Sequence, residues 1–81
     1  MLAKFEAYFD GEYWCARGIG ADVFTQGATL DELMSNIREA AELHFEDVLK
    51  QGERVHLLVL SEFVLPLPTM EVSGVAQVAA S

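Results

Sequence analysis

The sequence predicts an α+β domain: an antiparallel three-stranded meander, one long helix packed on one face of it, and then a further strand. Three observations lead there. Residues 2–9 alternate apolar and polar side chains with a period of two, the mark of a half-buried strand. Asp10-Gly11 follows at once, a strong hairpin signal, because both central residues of a type I′ turn need positive φ. After Thr29 the apolar period changes to 3.6 and holds for about five turns, which is an amphipathic helix. At 81 residues the chain has room for a single domain.

The elements follow in order. In the first strand Ala3, Phe5, Ala7 and Phe9 share one face, and Leu2, Lys4, Glu6 and Tyr8 the other. Residues 12–17 carry Tyr13, Trp14 and Cys15, which suit a second strand. A two-residue turn at Asp10-Gly11 pairs Phe9 with Glu12, Ala7 with Trp14 and Phe5 with Ala16 on the apolar face. On the other face it pairs Tyr8 with Tyr13, Glu6 with Cys15 and Lys4 with Arg17. The last pair is repulsive, with Glu6 on the same face to offset it. Gly18-Ile19-Gly20 breaks the second strand, a short third strand spans residues 22–25, and Gln26-Gly27-Ala28 turns into the helix.

Thr29-Leu30-Asp31-Glu32 is a capping box. The Thr29 hydroxyl accepts from the Glu32 amide, and the Glu32 side chain reaches back to the Thr29 amide. Asp31 and Glu32 also suit the positive end of the helix dipole. The apolar stripe is Leu30, Leu33, Met34, Ile37, Ala40, Ala41, Phe45, Val48 and Leu49, with Lys50 near the end and Gly52 as the stop. Ordering such a helix costs more than its stripe recovers alone, so it must lie on the sheet.

Residues 54–60 form the next strand, with Val55, Leu57 and Val59 alternating with His56 and Leu58. Being apolar on both faces, this strand suits an interior position or one buried in an oligomer. Leu65-Pro66-Leu67-Pro68 then blocks regular ladder pairing. Residues 66–81 are expected to be an extra strand, centred on 70–78, or a flexible C-terminal arm.

The formal charge is −8, from 13 acidic against 5 basic residues. That lacks the basic footprint a protein needs to hold nucleic acid directly. A hydrophobic content of 52% is far above that of a disordered chain. A domain this small has too little interior for all those side chains, so apolar surface is left for a partner. Self-association into a homo-oligomer is the expected use of it. No apolar run reaches membrane-spanning length, and the first residues lack a signal-peptide core. The lone Cys15 excludes an internal disulfide. Cytoplasmic placement without membrane contact is therefore expected.

No catalytic constellation stands out, and the chain is not expected to be an enzyme. His44 and His56 are the only histidines, without close metal-ligand spacing. Cys15 has no neighbouring histidine or lysine to activate it and is expected to pack on the sheet. Gly18-x-Gly20 has Val23 where a phosphate loop would continue with glycine. No cofactor or metal is expected. Asp31, Glu32, Glu39, Glu42, Glu46 and Asp47 face away from the apolar stripe. They form either a solvated helix face or an acidic surface that receives a basic partner.

Three segments carry a family resemblance: Tyr13-Trp14-Cys15-Ala16, Thr25-Gln26-Gly27-Ala28-Thr29-Leu30-Asp31-Glu32-Leu33, and Asn36-Ile37-Arg38-Glu39-Ala40. Together they resemble the HicB-like antitoxin family, over about residues 3–50. The family's proline-containing turn is replaced by Gly18-Ile19-Gly20-Ala21-Asp22. Ala28 stands where aspartate is common, and Leu33 where alanine is common. The resemblance implies a single HicB-like domain over 1–81, with a partial ribonuclease-H-like fold of the same β-β-β-α-β order. It implies no catalysis, since no carboxylate set is there to hold metal ions. In the family this domain binds and neutralises a small basic toxin that cleaves messenger RNA. Glu39, Glu42, Glu46 and Asp47 are the expected partner-binding residues. The alternative is a stand-alone homo-oligomeric binding or regulatory module without a toxin. Many members add a C-terminal DNA-binding module. No helical pattern or basic patch follows Gly52, so repression by this chain alone is not expected.

Overall fold

The computed structural model describes residues 1–62 and 65–68. Its elements are β1 (Leu2–Phe9), β2 (Trp14–Ile19), β3 (Phe24–Gly27), α1 (Leu30–His44), the short α2 (Glu46–Lys50) and β4 (His56–Ser61). The expected order β-β-β-α-β holds. The strands form one sheet in the order β3-β2-β1-β4. β1–β2 and β2–β3 are antiparallel; β4 returns beside β1 and runs parallel to it. The expected strand at 70–78 lies outside the described residues.

One face of the sheet meets α1. Ala3, Phe5, Ala7 and Ala16 from the strands are buried against Leu33, Ile37 and Ala41 from the helix. Phe5, Leu33 and Ile37 are the large side chains fully removed from water. Ala16 is small where α1 lies close over β2, and the three large side chains fill the space that reaches across to β1. Gly27 permits the closest approach: a Cβ there would lie 2.7 Å from the Leu33 backbone nitrogen.

The hairpin register differs from the expected one. Phe9 opposes Trp14, Ala7 opposes Ala16 and Phe5 opposes Gly18, so the connection is two residues longer than a type I′ turn. The cause is the Asp10 carboxylate. Its Oδ1 accepts from the Glu12 amide at 2.8 Å and the Tyr13 amide at 2.7 Å. Those two residues are thereby held out of the ladder, while the Asp10 amide donates to the Tyr13 carbonyl at 3.0 Å. Within this connection only Gly11 takes positive φ, at 106°, whereas a type I′ turn would need it at Asp10 as well. A shift of two leaves every side chain on its expected face. It does change the neighbours. Glu6 now faces Arg17 and bonds it at 2.8 Å, and Lys4 faces Ile19, so the expected Lys4–Arg17 repulsion does not arise.

The third strand starts two residues later than the expected 22–25. Val23 closes the preceding loop, its amide donating to the Ala21 carbonyl and its carbonyl accepting from the Gly18 amide. Gln26 and Gly27, expected in a turn, belong to the strand.

The long helix is interrupted. Phe45, with φ −105° and ψ 26°, separates α1 from α2, and no residue of α2 is buried. A 15-residue helix is about 22 Å long. The four-residue strand beneath it spans about 13 Å. The stripe therefore outruns the strand it packs on: Phe45 and Val48 are half-buried and Leu49 is exposed.

Of the two positions that suit a strand apolar on both faces, the interior one is not taken: β4 lies at the sheet's edge, beside β1. Its Leu57, Leu58 and Leu60 stay exposed. The parallel return places β4 outside β1 because β2 already occupies the other side of β1.

Candidate functional site

Thr29 sets the orientation of the helix. It sits in extended backbone, and its Oγ1 accepts from the Glu32 amide at 3.1 Å, as the capping box predicts. The reciprocal bond goes elsewhere: Glu32 Oε1 accepts from the Ala28 amide instead of that of Thr29. Glu32 thereby ties the residue before the cap to the first turn, and only one half of the capping box is made.

With the start fixed, the helical period carries Glu39 and Glu42 outward on α1, and Glu46 and Asp47 outward on α2. All four are exposed, as are Asp31 and Glu32. The Phe45 break divides the four into two pairs. Helical hydrogen bonds run across it, from the Phe45 amide to the Ala41 carbonyl and from the Leu49 amide to the Phe45 carbonyl. Lys50 lies 3.5 Å from Glu46 in an exposed pair one turn apart. Such a pair contributes about 0.3–0.5 kcal/mol and removes part of the local negative field. Chemically this face can attract and orient a cationic surface.

Glu42 also borders a groove of about 260 Å³ with Arg38, Ala41, Leu49, Val55 and Leu57. The groove separates the flank of α1 from the β4 edge.

A second surface lies on the sheet face opposite α1. By the strand registers, Leu2, Lys4, Glu6, Tyr8, Cys15, Arg17, Ile19, Phe24, Gln26, His56, Leu58 and Leu60 point there. Leu2, Ile19, Phe24, Leu58 and Leu60 keep 54%, 47%, 59%, 41% and 50% of their surface exposed. The Glu6–Arg17 ion pair crosses the middle of this face, with the guanidinium 5.8 Å from the centre of the Tyr8 ring. Sequence reading did not place these apolar residues on one surface. The available signal was the strand that is apolar on both sides, and it needed the strand order to be interpreted.

The remaining candidates lie apart. His44 ends α1, exposed and edge-on to Phe45, and His56 opens β4. Among the described residues, no group of three or more His, Cys, Asp or Glu is placed to hold a metal ion. Cys15 is buried, with Sγ 3.6 Å from Asp10 Oδ2. Burial first, and then the neighbouring carboxylate, push its thiol pKa up, which keeps it protonated and weakly nucleophilic. Among the described residues, no helix is long and apolar enough to cross a membrane.

No family model matches the chain. No solved structure matches it. The chain is 41% identical over 44 residues to a UPF0150 protein of Archaeoglobus fulgidus. That alignment takes in 54% of this chain and 61% of the relative's length.

Proposed function

We propose that this chain is an antitoxin-like protein that binds a small basic ribonuclease and blocks its cleavage of messenger RNA. The likeness to the UPF0150 protein carries this reading, since that family is related to the HicB-like antitoxins. The exposed Glu39, Glu42, Glu46 and Asp47 support it. A surface that binds RNA must be cationic, and a chain of charge −8 competes for that same surface. The acidic helix would speed encounter and orient docking; close packing would then supply most of the affinity. Messenger RNA cleavage places the pair in the cytoplasm. In this role the chain contributes no catalytic group, cofactor or metal, and contacts neither nucleic acid nor membrane.

A second reading, a homo-oligomeric module without a toxin, is favoured by the five exposed apolar side chains on the outer sheet face.

The test is calorimetric titration with the small basic protein encoded beside this gene, at low and high salt, with an RNA-cleavage assay alongside. Binding that weakens with salt and abolishes cleavage supports the antitoxin. Absence of such a neighbour, or no binding, overturns it and leaves the module reading.

A further inference from the structure

We propose that β4 pairs antiparallel with β4 of a second copy of this chain, about a two-fold axis passing beside Val59. Two four-stranded sheets would then join into one of eight strands. The inference holds under either functional reading, and its test requires no toxin.

The phase of the β4 backbone comes first. The His56 amide donates to the Met1 carbonyl at 2.8 Å, and β4 is in parallel register with β1. In a parallel ladder alternate residues turn both backbone groups toward the neighbour. His56, Leu58 and Leu60 therefore face β1. Leu57, Val59 and Ser61 present N–H and C=O outward, where no strand among the described residues meets them.

An edge with groups on alternate residues can be self-complementary. An axis at Val59 opposes Val59 to Val59 of the copy, and Leu57 to Ser61. That register uses all three outward residues of each strand in hydrogen-bonded pairs. It also places Leu58 opposite Leu60 of the copy in the closer, non-hydrogen-bonded positions. These two leucines are 41% and 50% exposed on the outer face. One step further, His56 comes opposite Glu62 of the copy, a ring N–H donor against a carboxylate.

Charge selects the same strip. A copy of a −8 chain is repelled over most of the surface. Positions 57–61 are Leu-Leu-Val-Leu-Ser and carry no charge. They also lack the lysine, proline or bulge with which natural edges resist pairing. The helix layer leaves room, because α1 packs over β3 and β2. With the axis normal to the sheet, both helices lie on one side and the groove beside Leu57 separates each from the junction.

The experiment uses the full chain, with sedimentation equilibrium and residue-resolved amide exchange. A dimer is expected, with the amides of Leu57, Val59 and Ser61 more protected as concentration rises. Leu60→Lys sits across from Glu6, and Leu58→Glu across from Lys4, so each subunit tolerates its substitution. Each alone should raise the dimer dissociation constant at least ~10-fold, with the melting temperature of the dilute monomer retained. Mixing the two variants should restore association, because position 58 of one chain then faces position 60 of the other with opposite charge. A chain that stays monomeric overturns the proposal; protected edge amides in that monomer would assign the edge to residues 69–81 instead. Association that neither variant weakens, or that the mixture does not restore, overturns the proposed pairing.

Discussion

The sheet has two edges, and they are finished differently. At β3 the phase set by the Gly18–Val23 hydrogen bond turns the backbone groups of Phe24 and Gln26 outward. The Gln26 carbonyl accepts from Asn36 Nδ2 at 2.7 Å, and α1 packs along the strand. At β4 no element does the same among the described residues. The less apolar strand is the covered one, and the leucine-rich strand is open. Edge protection in this molecule follows from where the helix can close on the sheet, and it closes at Gly27 and Ala16, where side chains are small.

The largest test of that comparison removes the anchor. Leu33→Ala should destabilise the protein by about 3 kcal/mol, because Leu33 is fully buried at the centre of the helix–sheet contact. Urea denaturation measures it, and both edges should lose amide protection together. Gly27→Ala should cost about 2 kcal/mol, since the added Cβ meets the backbone of Glu32 and Leu33. Amide exchange should then quicken at Thr25, whose amide faces β2, and stay unchanged in β4; equal quickening at both edges would dissolve the distinction. Asn36→Ala should cost about 1 kcal/mol by leaving the Gln26 carbonyl to water. Its exchange effect should be confined to the β3 side.

The smallest effect is a pH dependence at the loop joining β1 and β2. Hydrogen bonds from the Tyr13 and Glu12 amides hold the Asp10 pKa below its ordinary value of 3.8. The folded state thus favours the carboxylate. That stabilisation is complete above the unfolded pKa and is lost as pH falls through the lowered folded one. Asp10→Asn should flatten the acid limb of a melting-temperature profile while leaving both edges unchanged.

The acidic residues were legible one by one. Glu39, Glu42, Glu46 and Asp47 sit opposite the apolar stripe, and a 3.6-residue period suffices to turn them outward. The outer apolar surface was not legible, because Leu2, Ile19, Phe24, Leu58 and Leu60 come from four strands. Their union depends on strand order, which no local pattern encodes. The hairpin register was missed for a related reason. Asp-Gly is compatible with more than one turn, and the choice falls to a carboxylate that captures two amides.

Period, capping and composition therefore settle the α+β class, the order of elements, the face each side chain takes and the position of Thr29 at the helix start. Each of these depends on residues within a few positions of one another. The hairpin register turns on the Asp10 carboxylate, while packing alone settles the break at Phe45, the covering of β3 and the edge position of β4. Those depend on how far a helix can extend over a short strand, and on which strand the chain meets when it returns from the crossover.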